Sequence, residues 1–368
     1  MIDIVKGEKM SENKLARCVS ITKAGSPSVL KITNIEIPSP KEDEIGVEVH
    51  FAGINFADTL MRLGWYNPRP PYPFTPGYEV SGVIHSIGKG VSGFEIGQRV
   101  VAAMQTGGQS SHVVVNSSRV IAIPDDMSLE SAAAMPVTYL TAHHMLHYLG
   151  NLKSSDTVLI HGGAGGVGTA ALQICSWAGV EKVWATASGS KSGIIKSLGG
   201  IPIDRHNEDF TKIIKDATDG KGVDHVLDPI GGENLTRSLS VLAQGGRLYT
   251  YGLSAAAPSS KRTLLRSLMA LRKTPKFDPL KLMMRNRGVF GVHMGTWEDE
   301  SAMAEQLIRI MEGIKLGKLS PIIDSIFDAE QVADAHQYIH DAKNIGKVAI
   351  IAPIKINSSV PGKPLARA

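Results

Sequence analysis

The pattern of apolar positions divides the chain into two regions. From Arg17 to about Ile123, short apolar runs such as IGVEVHFAGI, YEVSGVIHSIG and RVVAAM are separated by proline and glycine clusters at 68–76 and 88–97. Runs of this length bounded by turn residues are typical of β-strands. With no helical pattern between them, they predict a compact, mostly antiparallel β region.

After Pro124 the pattern changes to one of helices and strands in alternation. SLESAAAMPVTYLTAHHMLHYLG predicts a helix, with Asp125 or Ser128 as its cap. TVLIHGG, KVWATAS, IPIDR, VDHVLDPI and RLYTYG read as strands, and VGTAALQICSWAG, KSGIIKSLGG, 209–219 and 234–242 as the helices between them. Such alternation predicts a parallel sheet with helices on both faces. The tail after Pro353 is predicted to fray.

Composition narrows the class of protein. A length of 368 residues predicts two or three domains, and 43% apolar with 20% charged residues is ordinary globular usage. A net charge of +4 is too small to indicate a nucleic-acid partner, and we expect none. Cys18 and Cys175 cannot build a disulfide framework or a four-thiolate zinc site, which favours a reducing compartment.

Targeting signals are also missing from the pattern. No run approaches the roughly 18 apolar residues of a spanning helix. The first residues, MIDIVKGEKMSENKLAR, are polar and charged rather than signal-like. The expected location is the cytoplasm.

One segment, 254–288, interrupts the alternation. It contains nine basic residues and one acidic residue, a net charge of +8. Its leucines and methionines give it an amphipathic pattern. It fits a substrate-side lid or a subunit contact, and it also fits peripheral contact of residues 261–287 with an anionic membrane.

The motif with the most specific chemistry lies in TVLIHGGAGGVGTAALQ. Gly163, Gly165 and Gly168 form G-x-G-x-x-G between a predicted strand and a predicted helix, with Gly166 and Val167 inside the motif. We expect a tight turn at the first glycine, backbone close to a diphosphate at the second, and close helix-to-strand packing at the third. The helix N-terminus would offer free N–H groups to the phosphates.

The end of the next strand indicates which dinucleotide binds. An NAD site has an acidic side chain about 20 residues after the motif. This chain has Thr186, Ala187 and Ser188 there, with Lys191 opening the next helix and Arg205 ending the third strand. A 2′-phosphate is well matched by a guanidinium, so NADPH is the predicted cofactor, bound by Ser188, Lys191 and Arg205. In the alternative, Arg205 simply pairs with Asp204 or Glu208 on the surface.

These motifs together resemble the medium-chain dehydrogenase/reductase superfamily, in its zinc-independent quinone oxidoreductase arm. The resemblance spans about Ala16 to Ile351. It rests on AGINFADT (52–59), PGYEVSGVI (76–84), LTA (140–142), GGAGGVG (162–168), DPIGG (228–232), YGLS (251–254) and NIGKVAI (344–350). Within that arm, TASGSK, RNRGVFGVHMG and IIDSIFDAEQVADAH are similar to the vesicle amine transport protein branch.

The resemblance implies an α/β fold with two domains. A Rossmann doubly wound parallel sheet would span 136–293, with the basic insert at 254–288. A β-rich, chaperonin-10-like catalytic domain would be formed by 1–135 and 294–368. The active site would be the cleft between them, and the molecule a homodimer.

Two departures from the wider superfamily affect the chemistry. Zinc alcohol dehydrogenases have a cysteine where this chain has Asn55 and a histidine where it has Tyr78, and neither replacement is a competent zinc ligand there. His143, His144 and His147 do not complete a metal motif, so no metal is expected. The implied function is zinc-independent hydride transfer from NADPH to a quinone or an α,β-unsaturated carbonyl, a small-molecule substrate. The alternative is a membrane-peripheral lipid-binding or transport protein that keeps the cofactor mainly for structure.

The resemblance also implies roles for individual residues. Asn55 would lie near the nicotinamide ribose and the substrate carbonyl. Leu60 stands where many relatives have a tyrosine, so Tyr66 or water would be the proton donor. The further residues implied to contact the cofactor are Thr141, Gly252, Phe290, Val292, Asn344 and Lys347.

Overall fold

The computed structural model describes residues 15–66, 69–257, 259–261 and 263–352, with Leu264 and Arg266 described by their backbone alone. The first 14 and last 16 residues of the predicted catalytic domain, the predicted frayed tail and Arg262 of the basic insert lie outside the described residues.

The β-rich part of the molecule contains most of the strands before residue 123. Its elements are β1 (Leu15–Ile21), β2 (Leu30–Glu36), β3 (Glu44–Ile54), α1 (Phe56–Leu63), β4 (Glu79–Ile87), β5 (Arg99–Ala103), β6 (His112–Asn116) and β7 (Val120–Ala122). Two elements from the end of the chain, β14 (Ile323–Phe327) and β15 (Lys347–Ile351), join its main sheet in the order β14-β15-β3-β4-β5-β7, with β6 paired to β3. All these pairs are antiparallel except β14 with β15.

The prediction of a β region without helices is wrong at α1. Asn55 and Asp58 form a capping box at its start, and Gly64 ends it in the left-handed conformation at φ 76°. The Asn-x-x-Asp spacing followed by glycine is a helix signal in the sequence, but the helix is too short to show a clear apolar period.

The middle of the chain forms the second sheet and its helices. These are α2 (Leu129–Ala133), α3 (Pro136–His143) with a π-helical turn at His144–Tyr148, β8 (Thr157–His161), α4 (Gly166–Trp177), β9 (Lys182–Ala187), α5 (Ser192–Ser197), β10 (Ile201–Asp204), α6 (Phe210–Ala217), β11 (Val223–Asp228), α7 (Glu233–Ser240) and β12 (Leu242–Thr250). They are followed by α8 (Leu264–Arg272), α9 (Pro279–Arg285), β13 (Gly288–Gly291) and α10 (Glu300–Lys315), with α11 (Val332–His340) between β14 and β15. Of the two predicted caps, Ser128 caps α2.

All six strands of this second sheet are parallel, in the order β10-β9-β8-β11-β12-β13. Alternate residues of β8 enter two separate cores: Val158 and Ile160 pack with α4, whereas Leu159 packs with Phe210 of α6. The predicted doubly wound α/β fold is confirmed. The strand order reverses between β8 and β11, where ligands bind in such sheets.

Helix α10 follows the predicted domain boundary at 294, yet its apolar face packs on the parallel sheet's side. Leu307, Ile310 and Met311 lie in the same core as Val158 and Ile160. The boundaries of the two domains stay a prediction.

Candidate functional site

A cleft of about 1100 Å³ lies where the carboxyl edge of the parallel sheet faces the β-rich part. One wall contains the glycine-rich turn after β8, and the other contains residues at the ends of β3 and β15. Of the predicted site residues, those lining the cleft are Asn55, Tyr66, Thr141, Gly165, Gly166, Val167, Gly168, Arg205, Gly252, Val292, Asn344 and Lys347. Gly163, Ser188, Lys191 and Phe290 do not line it.

The glycine-rich turn differs from the prediction at its first position. The left-handed turn is made by Gly162, with φ 67°, rather than by Gly163. A Cβ on Gly163 would lie 2.5 Å from Cβ of Ala185 in β9, so this glycine is required for strand packing. A Cβ on Gly168 would lie 2.4 Å from the carbonyl oxygen of Gly162, which agrees with the predicted close packing of helix on strand. In the sequence, only the two consecutive glycines of HGG could have indicated that the turn begins one residue earlier.

The N-terminus of α4 opens into the cleft. Gly165 occupies the cap position, where it has no side chain to accept a hydrogen bond from the first turn. The first N–H groups of a helix have no partner within it, and the helix dipole adds positive potential there. With Gly166, Val167 and Gly168 lining the cleft, the backbone forms a cradle that fits a diphosphate.

The three residues predicted to contact a 2′-phosphate lie at the ends of β9 and β10. Arg205 lines the cleft. The alternative pairing of Arg205 is not seen, since the described part of the chain gives it no ion pair. The carboxylate of Asp204 instead accepts from the His206 N–H at 3.0 Å, and that of Glu208 accepts from the Asp204 N–H at 2.6 Å.

Lys191 and Ser188 lie beside this corner. The Lys191 ammonium donates to the carbonyl oxygen of Ala342 at 2.7 Å and to that of Asn344. Burial lowers the pKa of Lys191, and nearby Arg205 lowers it further against the opposing effect of Asp324. Arg205 therefore lines this corner of the cleft with a second cation, Lys191, behind it, and two hydrogen bonds hold the Lys191 ammonium in place.

On the opposite wall, three adjacent strands bring a buried polar network together. Strand β3 pairs with both β15 and β4, which places Asn55, Lys347 and Glu79 at one edge of the sheet. The Asn55 amide donates to Oε1 of Glu79 at 2.9 Å, and the Lys347 ammonium donates to the same oxygen and to Oδ1 of Asn55. The Val137 N–H donates to the other oxygen of Glu79 at 2.7 Å. Glu79 thus joins β4 to α3 and neutralises the buried Lys347.

Asp58, which the sequence reasoning did not single out, lies directly behind this network. Its carboxylate accepts hydrogen bonds from the N–H groups of Asn55 at 2.8 Å and Gly77 at 2.9 Å. Burial raises the pKa of Asp58 to about 7, against the lowering effects of those hydrogen bonds and of Lys347. The carboxyl group therefore changes its charge near neutral pH.

Aromatic side chains line part of the cleft beside the β-rich wall. The ring centroid of Tyr66 lies 6.3 Å from that of Tyr78 and 5.3 Å from that of His293. Burial raises the pKa of Tyr66, so its hydroxyl releases a proton less readily than a free tyrosine. His293 was not predicted as a site residue, and only its position two residues after β13 could have indicated it.

The remaining predicted contacts have defined positions. Thr141 donates to the carbonyl oxygen of Val137 at 2.7 Å, and the Asn344 amide donates to that of Gly346 at 2.7 Å. A Cβ on Gly252 would lie 2.6 Å from the carbonyl oxygen of Pro229. Phe290 stacks on Tyr249 with ring centroids 5.7 Å apart. It lies behind the cleft because it is farther from the carboxyl edge than Val292.

The histidines of α3 and the following turn pack on α10. His143 and His144 both lie at hydrogen-bond distance from the Gln306 amide, each at 3.3 Å. Within the described ranges, no group of three or more His, Cys, Asp or Glu side chains is placed to hold a metal ion.

A parallel doubly wound sheet, a glycine-rich turn and a β-rich roof over the cleft define a class of dinucleotide-dependent oxidoreductases. Residues 41–125 match the alcohol dehydrogenase GroES-like domain, and residues 200–350 match the zinc-binding dehydrogenase family. The chain belongs to the medium-chain dehydrogenase/reductase superfamily, in its quinone oxidoreductase arm near the VAT-1 proteins.

Individual relatives agree with this assignment. The chain is 36% identical over 345 residues to human synaptic vesicle membrane protein VAT-1 homolog, covering 92% of this chain and 86% of that protein. It is 30% identical to human quinone oxidoreductase, and the match covers 92% of this chain and 98% of that protein. The structure of Escherichia coli quinone oxidoreductase complexed with NADPH superposes with a TM-score of 0.81 at 25% identity, over 91% of this chain and 99% of that one. The structure of human synaptic vesicle membrane protein VAT-1 homolog-like protein superposes with a TM-score of 0.81 at 29% identity, over 93% of this chain and 99% of that one.

Proposed function

We propose that the protein is an NADPH-dependent, zinc-independent reductase of quinones or α,β-unsaturated carbonyls. The observation that carries the proposal is the cleft itself. One wall is the N-terminus of α4, and the other is a polar edge that contains Asn55 and Lys347. By the family resemblance, Asn55 and Tyr78 stand where zinc alcohol dehydrogenases have zinc ligands, and neither side chain is a competent ligand there. The similarity to quinone oxidoreductases and an enoyl reductase supports the same reaction class.

The residues present fit a dinucleotide phosphate. Gly165 to Gly168 would hold the diphosphate, and Arg205 with Lys191 and Ser188 would hold the 2′-phosphate. When bound, reduced nicotinamide supplies the hydride. The similar E. coli quinone oxidoreductase structure was solved with NADPH, which supports the same preference here.

The β-rich wall would orient the substrate and manage the proton. The Asn55 amide has one N–H left after its bond to Glu79 and is positioned to donate it to a substrate carbonyl. Tyr66 and water are the candidate proton sources, and the raised pKa of Tyr66 favours water unless a neighbouring group assists the hydroxyl. An already electrophilic quinone or enone needs only this positioning and one proton.

Cofactor preference is tested by fluorescence titration of the Arg205→Ala variant. We expect NADPH binding to weaken by about 1–3 kcal/mol, the cost of losing a charged hydrogen bond, with NADH binding nearly unchanged. Arg309→Ala, on the exposed face of α10, is the matched control. Equal weakening of both cofactors by Arg205→Ala would place the 2′-phosphate elsewhere.

The reaction class is tested by screening 1,2-quinones, 1,4-quinones, enals and saturated ketones with the preferred cofactor. Oxidation of NADPH with quinones or enals, but not with saturated ketones, is the expected result. Background rates with every quinone and enal would reject the reductase.

A second candidate function is peripheral membrane or lipid binding through α8 and α9. These helices expose Leu265, Leu268, Met269, Leu271, Leu280, Met283 and Met284 to solvent among basic side chains. Apolar groups next to cations match the surface of an anionic bilayer. No helix among the described residues is long and apolar enough to cross a membrane.

This candidate is tested by sedimentation with vesicles containing phosphatidylserine. Replacing Leu280 and Met284 by serine should reduce binding, and binding should weaken with salt. Ile96→Ser is the control, because Ile96 is a similarly exposed apolar residue outside these helices. Salt-sensitive binding combined with background reductase rates would favour this function over the first.

The state of assembly is proposed on family analogy. Strand β13 is the edge of the parallel sheet, and we expect it to pair with its mate in a homodimer. Light scattering on the wild type and a Val289→Pro variant tests this. A cytoplasmic location is expected from the composition and is tested by cell fractionation.

A further inference from the structure

A cluster of buried nitrogens lies between α1 and α11. His340, one of its residues, also lines the cleft, but none of the cluster has a role in the chemistry described above. Arg62 belongs to α1, and His336 and His340 belong to α11, which packs on it. Arg62 and His336 are fully buried. His340 stacks on Phe56 of α1, with ring centroids 5.9 Å apart.

The guanidinium of Arg62 is only partly bonded. Its Nη1 donates to the carbonyl oxygens of Gly25 at 2.7 Å and Ser260 at 3.2 Å. Within the described part of the chain, Nε and Nη2 have no hydrogen-bond partner. Leaving buried N–H groups unbonded costs free energy, and leaving a buried charge unpaired costs much more.

No carboxylate of the described residues neutralises this cation. Asp58, on the same helix, accepts from the N–H groups of Asn55 and Gly77. Asp341, at the end of α11, pairs with Lys343 at 3.1 Å and accepts from Gln337 at 2.6 Å. Burial lowers the pKa of Arg62 only to about 10, so the side chain stays charged at neutral pH.

The two histidines add further unbonded nitrogens. Both ring nitrogens of His336 and Nδ1 of His340 are buried without a partner among the described residues. Burial, and then the charge of Arg62, lowers the pKa of His336 to about 3, so the ring is neutral and has one N–H to donate.

We propose that Arg62, His336 and His340 form a binding site for one small monovalent anion, with chloride as its simplest ligand. Nε and Nη2 form the edge of the guanidinium that can grip an anion with two parallel N–H groups. The ring N–H of His336 supplies a third donor. The ligand is small because all five nitrogens are shielded from solvent.

The anion would neutralise Arg62 and hold α1 against α11. Because Nη1 of the same guanidinium holds Ser260, it would also fix the start of the basic insert. A free halide and a carboxylate as small as formate offer the same chemistry, so both are tested.

The first experiment follows thermal unfolding at constant ionic strength while chloride or formate replaces gluconate. At anion concentrations above the dissociation constant, Tm should rise by about 2 °C for each tenfold increase in the concentration of the anion that binds. A response to chloride but not to formate identifies a halide site, and the reverse identifies a carboxylate site. Arg62→Met should abolish the response, and Arg62→Lys, which keeps the charge but loses the two-pronged edge, should weaken it.

Arg237→Met is the matched control, because Arg237 pairs with Asp209 on the surface; it should keep the full response. The second experiment is a crystal grown in bromide, with an anomalous peak expected within hydrogen-bond distance of Arg62 Nε. If Arg62→Met does not fold, the anomalous peak and the weakened Tm response of Arg62→Lys test the site instead.

The proposal is wrong if Tm is the same in all three anions, or if Arg62→Met keeps the response. It is also wrong if bromide appears only at crystal concentration with no millimolar effect on Tm, which would indicate an adventitious ion only.

Discussion

Charged side chains are usually exposed and large apolar ones usually buried. The wall of the cleft around Lys347 and the outer surface of α8 and α9 depart from this rule in opposite ways. The first buries a lysine and two carboxylates, Glu79 and Asp58. The second exposes large apolar side chains, with Leu280 at 66% and Met284 at 78% of their accessible area. Buried charges lower stability unless they are paired, and large exposed apolar patches usually mark a surface that contacts another molecule. This contrast is what the two proposals above would explain, a small ligand in the cleft and an anionic membrane at α8 and α9.

The largest effect is expected at the buried charge pair. Lys347→Met leaves Glu79 buried without its counter-ion, and should lower the free energy of unfolding by about 3–5 kcal/mol. Urea unfolding at pH 7 measures it. The control is Lys343→Met, which breaks the exposed pair with Asp341 and should cost about 0–1 kcal/mol. If both variants lost the same free energy of unfolding, the buried Lys347–Glu79 pair would contribute no more to stability than the exposed pair.

The next effect is a pH dependence set by Asp58. Burial raises its pKa from 3.8 to about 7, so between these pH values the folded protein holds a proton that the unfolded chain has released. The free energy of unfolding should therefore fall as the pH rises from about 4 to 7, by at most about 4 kcal/mol.

Asp58→Asn should flatten this slope, measured by Tm across the same pH range. Asp209→Asn is the control, since it removes an exposed carboxylate whose pKa is lowered by its hydrogen bonds with Thr211, and the asparagine oxygen can still cap α6. It should change Tm little and leave the slope between pH 4 and 7 unchanged. A slope that survives Asp58→Asn would assign the titration to another group.

The smallest effect is expected on the exposed surface. Leu280→Ser with Met284→Ser should change the free energy of unfolding by less than about 0.5 kcal/mol, whereas the buried Leu63→Ala should cost about 2–5 kcal/mol. Urea unfolding compares them. If the surface pair costs as much as Leu63→Ala, these side chains are packed in solution against a second copy of the chain, and the contrast between the two surfaces disappears.

Local patterns predicted much of the site. The alternation of strands and helices predicted the parallel sheet, and the glycine spacing placed α4 and its N-terminus. Arg205 was predicted from its position at a strand end. The same reasoning missed α1, because a helix of eight residues shows too little of the apolar period, and it placed the left-handed turn one residue late.

The amino-acid sequence alone determined the class of fold, the glycine-rich turn before α4 and the excess of cations in the insert, since each depends on residues close together in the chain. The tertiary structure decided which distant residues meet. Glu79 lies 24 residues and Lys347 292 residues after Asn55 along the chain. Only the pairing of β15, β3 and β4 brings the three side chains into one network. The same holds for Arg62 with His336 and for the raised pKa of Asp58, because burial and the charges that surround a group are properties of the packed molecule.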